Sequence, residues 1–127
     1  MTQLLISYQE PSDWKDQDGY FIDPLNYANL LTEKWSNINI SKTDDGYSCL
    51  NWEIKKVNEA GLRGGIQSNR KVIYFSANPL NDAIEYAIWH RTKIPVSYRL
   101  FLFDEGINVV VELKIDTTYK ELQDALT

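Results

Sequence analysis

Cys49 and His90 are each the only residue of their type in the chain, and together they could supply a thiol nucleophile and its base. That chemistry needs the imidazole within hydrogen-bonding reach of the sulfur and a third group to orient it. No spacing in the sequence brings the two together. Cys49 falls in a strand on the face shared with Asn51 and Glu53, and His90 on the flank of a helix, so a small strand residue and a half-exposed helix histidine are the plainer reading. Glu53 and Glu112 could face one another across a sheet, but strand faces with polar neighbours read first as solvated surface. Arg99 shares a strand face with Phe101 and Phe103. A guanidinium there either stacks on the rings or binds an anion in a pocket near His90.

The segment Asp13-Trp14-Lys15-Asp16-Gln17-Asp18-Gly19 sets Asp16, Asp18 and Gly19 as in the middle of an EF-hand loop. Trp14 stands where the first Asp belongs and Leu25 where the closing Glu belongs, so no metal site and no cofactor is assigned. Trp14, Asp16 and Asp18 read as a solvated turn or, with Tyr20 and Phe21 beside them, as an interaction surface. Leu62-Arg63-Gly64-Gly65 lacks the Lys-Ser/Thr that completes a phosphate-cradling loop, and Gly61 to Gly65 reads as a flexible connection. No nucleophile elbow, zinc motif or dinucleotide fingerprint occurs, so no catalytic residue is assigned.

Positioning these groups falls to short strands and helices. Thr2 to Tyr8 reads as a strand. Asp23-Pro24 is a capped helix start, and Tyr27, Ala28, Leu31 and Trp35 form that helix's apolar stripe. Ile38 to Lys42 and Tyr47 to Val57 read as strands joined by Asp44-Asp45-Gly46. Arg70 to Ala77 is apolar on both faces and therefore central. Asn78-Pro79 repeats the capped start for a second helix running to about Lys93. Val96 to Phe103 and Ile107 to Ile115 are two more strands, and Thr118 with Glu121 spells a capping box for a short last helix. The order is β-α-β-β-β-α-β-β-α. It predicts one α+β domain over 1–127: a two-layer fold with a mainly antiparallel sheet of about six strands, two long helices and a short C-terminal one.

On the second helix, Leu80, Ala83, Ile84, Ala87, Ile88 and Ile94 make one broad stripe. Trp89 points away from it, on the side shared with Asp82, Glu85 and Tyr86. Either a loop or the terminal helix covers this side, or it contacts a partner. Trp and Tyr are common interface anchors, and acidic neighbours select a basic partner. On the second reading Trp89→Ala weakens partner binding by about 2 kcal/mol or more.

The whole chain sets the frame for these sites. It has 127 residues, of which 43% are hydrophobic and 24% charged, as in ordinary globular domains. A net charge of −5 argues against nucleic acid as a partner, since phosphate binding is mostly a Lys/Arg term. No run of apolar residues is long enough to span a bilayer, so no membrane partner is expected. The single cysteine and the absence of a basic n-region before Leu4-Leu5-Ile6 predict a reducing, cytoplasmic setting. In size, charge and layout the chain resembles the small acidic α+β immunity proteins of bacterial toxin systems. That resemblance implies a non-enzymatic module that neutralises a basic protein, often a nuclease, by covering its active site. It carries over no individual residue. Two other expectations stand beside it: a small enzyme or ligand-binding domain with a pocket near Arg99 and His90, and a homodimer formed through the exposed edge of Ile107 to Ile115.

Overall fold

The computed structural model of the chain describes residues 3–8, 20–43, 45–56 and 59–127. Trp14, Asp16 and Asp18 of the acidic segment lie outside the described residues. In chain order the elements are β1 (Leu4–Ser7), α1 (Pro24–Lys34), β2 (Asn39–Lys42), β3 (Ser48–Lys56), β4 (Glu59–Gln67), β5 (Ile73–Asn78), α2 (Leu80–Lys93), β6 (Leu100–Asp104), β7 (Val110–Leu113) and α3 (Tyr119–Leu126). The seven strands form one sheet in the order β2-β3-β4-β5-β1-β6-β7, and every neighbouring pair is antiparallel. The α+β class stands, with seven strands in place of about six.

The additional strand is β4, where the sequence predicts a flexible loop. Its glycines make room for neighbours. A Cβ on Gly64 would sit 2.9 Å from Cζ2 of Trp52 and 3.0 Å from Cβ of Phe75. A Cβ on Gly65 would run into the Tyr74 hydroxyl and the Asn51 amide oxygen, which hydrogen-bond to each other across β4, Tyr74 donating. Gly61 has φ +72° at the register shift of the β3–β4 pair, and a Cβ there would strike the Ile54 carbonyl.

Other boundaries move for local reasons. Asp23 caps α1 by accepting from Leu25 N at 3.1 Å, with Pro24 first in the helix. The Thr118–Glu121 capping box of α3 is formed in both directions. Asn78 is not a cap: α2 starts at Leu80, behind a cis Asn78–Pro79 bond, and Pro79 at the cap position has no side-chain acceptor to offer. β6 starts at Leu100, not Val96, and β7 covers only Val110–Leu113 of the expected Ile107 to Ile115.

Leu4, Ile6, Leu50, Trp52, Ile66, Ile73, Phe75, Leu102 and Leu113 of the sheet join Tyr27 and Leu31 of α1, Ala83, Ile84 and Ala87 of α2, and Leu122 of α3 in one buried cluster. Each large aliphatic in it contributes about 1.5–3 kcal/mol through burial. Arg99, Phe101 and Glu112 alternate out of phase with this set and lie on the other side of the sheet.

Candidate functional site

The face of α2 that carries Trp89 is covered by α1. Trp89 is half-buried and meets Trp35 edge to face at 5.0 Å, with Tyr27 and Tyr86 at 5.8 and 5.7 Å. Tyr86 is fully buried and lies 4.7 Å from Phe75 of the sheet. Glu85 is exposed and pairs with Lys34 of α1 at 3.2 Å. Asp82 is half-buried in the first turn of α2, where a carboxylate complements the helix dipole. The expected outward patch of Tyr86 and Trp89 is thus an inter-helix contact. A single-stripe reading misses this because α2 packs against the sheet, α1 and α3, so Ala83, Ile84, Tyr86, Ala87, His90 and Arg91 are all buried.

His90 belongs to the same interior. Its Nδ1 is 2.8 Å from the Tyr27 hydroxyl, which is 2.5 Å from the Tyr86 hydroxyl. Burial pushes the imidazole down to about 3, with the charge of Arg91 adding to the effect, so it is neutral. Burial raises both tyrosines, Tyr27 further through Tyr86. Cys49 is elsewhere, its thiol donating to the Gln67 carbonyl at 3.6 Å, and burial pushes the thiol up against the opposing effect of Arg70. Neither group is activated, and the structure does not bring them together. Nor does it join Arg99 to His90. Arg99 stacks 5.0 Å over the Phe101 ring and bonds both oxygens of Glu112, at 2.8 and 3.3 Å, on the sheet face away from α2. That hydrogen bond holds Glu112 below the usual carboxylate range.

The charged group that organises a surface is Arg91, which the sequence reading passed over. It is buried, and its guanidinium donates to the carbonyls of Ile94 (2.9 Å), Pro95 (3.0 Å), Tyr98 (2.9 Å) and Leu113 (3.5 Å). Burial pulls its pKa below the usual arginine value, with Glu112 opposing. The bonds close the end of α2, since unsatisfied carbonyls there attract a cation. They also fasten the turn after α2 to the end of β7. Val96 (73% exposed), Tyr98 (38%) and Ile115 (64%) project from these two fastened segments. The Tyr98 ring packs on Tyr20 at 5.3 Å. Exposed Tyr98 and Val96 read in sequence as alternating strand residues. The signal that could have exposed them is Pro95, immediately before that reach of chain, which marks a turn out of the helix.

A cavity of about 480 Å³ lies where β1, β5 and β6 meet α2 and α3, lined by Leu4, Ala77, Asn78, Leu80, Asp104 and Leu126 among others. Asp104 spends its carboxylate on its own turn, accepting from the N–H groups of Asn108 and Val109, which lowers its pKa. Among the described residues no group of three or more His, Cys, Asp or Glu could hold a metal ion, and no helix is long and apolar enough to cross a membrane. No family model matches the chain, and neither does any curated protein or solved structure.

Proposed function

We propose that the chain is a non-enzymatic protein-binding module whose contact surface is built on the turn after α2 and the end of β7. The observation that carries this reading is the trio Val96, Tyr98 and Ile115, exposed on or next to backbone that one buried guanidinium ties down through four carbonyl bonds. Exposed apolar side chains carried on a tied-down backbone bind at lower entropic cost. The net charge of −5 favours a basic partner and speeds encounter with it at low salt. An immunity-type inhibitor of a basic toxin, such as a nuclease, is the most concrete form of this reading. The test is a tagged pull-down from source-cell lysate with the parent and a Tyr98→Ala/Ile115→Ser variant, each at low and high salt. A stoichiometric basic protein retained by the parent, and lost with the variant and at high salt, is the expected result. Equal capture by parent and folded variant sinks the proposed surface.

The cavity beside Asn78 and Asp104 favours a second reading, a small-ligand domain, because its size falls in the range of ligand pockets. A fragment screen by NMR, repeated with Ala83→Leu to fill the cavity, separates it from the first. Hits that vanish in the filled variant favour the ligand domain.

A further inference from the structure

The two edges of the sheet are built differently. β2 at one end exposes Asn39, Ser41 and Lys42, side chains that blunt an edge against pairing. β7 at the other end carries Val110, Val111 and Glu112 and has a strand neighbour on one side only, β6. A groove of about 480 Å³ runs along its outer side toward the start of α3, lined by Val110, Glu112, Lys114, Asp116, Thr117 and Glu121 among others. Arg99 reaches Glu112 from the β6 side. The outer wall of the groove therefore holds Asp116 and Glu121 against Lys114 alone.

A second copy suits this edge poorly. Pairing cannot extend past Leu113, because Lys114 N–H donates to Thr117 Oγ1 at 2.7 Å and the Lys114 carbonyl accepts from Thr117 N at 3.0 Å. Within Val110–Leu113, two-fold pairing that keeps both cores on one side sets Glu112 against Glu112, or shortens the ladder to Val110–Glu112 about Val111. Each copy also brings a net charge of −5.

We infer that β7 accepts an extended basic segment of the partner as an eighth strand. Its backbone pairs with β7, and its Lys or Arg side chains answer the Asp116 and Glu121 carboxylates that line the groove. This rests on the protein-binding reading and names the chemistry of what is bound.

The test uses the full chain, labelled with nitrogen-15, and a capped peptide alternating lysine and valine. Two controls accompany it: the glutamate–valine counterpart, and the lysine–valine peptide N-methylated at alternate backbone nitrogens. N-methylation keeps every charge and side chain but removes the N–H row that pairs with an edge. The expected result is shift changes and slowed amide exchange centred on 110–113, with affinity reduced at least about tenfold by N-methylation. The glutamate peptide should give no change, and Asp116→Lys should weaken binding of the lysine peptide. Equal binding of the N-methylated peptide, changes centred on β2, or no change on 110–113 at about 1 mM peptide overturns the inference. The pull-down reads Tyr98 and Ile115, not β7, so failure of the parent reading registers there separately. A lysine-peptide complex containing two copies of the chain would assign the edge to self-pairing and also overturn it.

Discussion

Tyr27, Trp35, Tyr86 and Trp89 pack on one another between α1 and α2, while Val96 and Tyr98 stand exposed on the turn where α2 ends and Ile115 just past β7. Residue type does not separate the two groups; both are apolar and each contains tyrosine. What separates them is the neighbour. The first group has a second helix laid against it. The second has a buried cation beneath it that satisfies the backbone but covers no side chain. Burial in the first group sets stability, and exposure in the second leaves apolar area for another molecule. Substitutions should therefore fall into two kinds.

The largest effect is expected at Tyr86, which is fully buried. Tyr86→Ala should cost about 3–5 kcal/mol in urea unfolding, the range for truncating a core aromatic. A cost near zero would mean that the ring cluster is open to solvent and the contrast void. Arg91→Met comes next, at about 2–3 kcal/mol from the lost charged hydrogen bonds. Amide exchange in 94–99 should quicken in this variant while the α1–α2 amides stay protected. His90 gives a pH signature of the interior group alone. Unfolded, it titrates near 6.5; folded, it is pushed down to about 3. Between those values the unfolded chain binds the extra proton, so stability falls as pH falls, by up to about 1.4 kcal/mol per pH unit. Urea midpoints measured from pH 7 to pH 5 should show this slope, and His90→Gln should flatten it. The smallest change in stability belongs to Tyr98→Ala, within about 0.5 kcal/mol, although partner capture drops at least about tenfold. A large loss of stability there would move Tyr98 into the interior group.

Features that a residue makes with its own neighbours in sequence were legible. Asp23 and Pro24, Thr118 and Glu121, and the turn at Asp45-Gly46, where Asp45 accepts from Tyr47 N and Ser48 N, all act within a few residues. Features made across the sheet were not. Gly64 and Gly65 look like a loop until Trp52 and Tyr74 are set over them from the flanking strands. Trp89 looks exposed until Trp35 lies against it. Val96 and Tyr98 look like strand until Arg91, from the helix before them, claims the carbonyls around them. For the glycines and Trp89 the deciding partner is set by tertiary packing and no local pattern records it, whereas at Val96 and Tyr98 the local mark is Pro95.

The first strand of the chain is also one of the inner strands of the sheet. Leu4 lies between Phe75 and Asp104, and Ser7 pairs with Phe101. During synthesis β1 leaves the ribosome first, yet its second partner emerges roughly ninety residues later. At about 5–20 residues per second that is a wait on the order of 5–20 s. Until β5 emerges Leu4-Leu5-Ile6 is an unpaired apolar strand, and from then until β6 is complete it still has one open edge. The nascent chain can assemble β2 to β5 early, but the sheet closes only when β6 is complete. A translation pause placed after β5 would lengthen that exposure, whereas one placed after β6 would not.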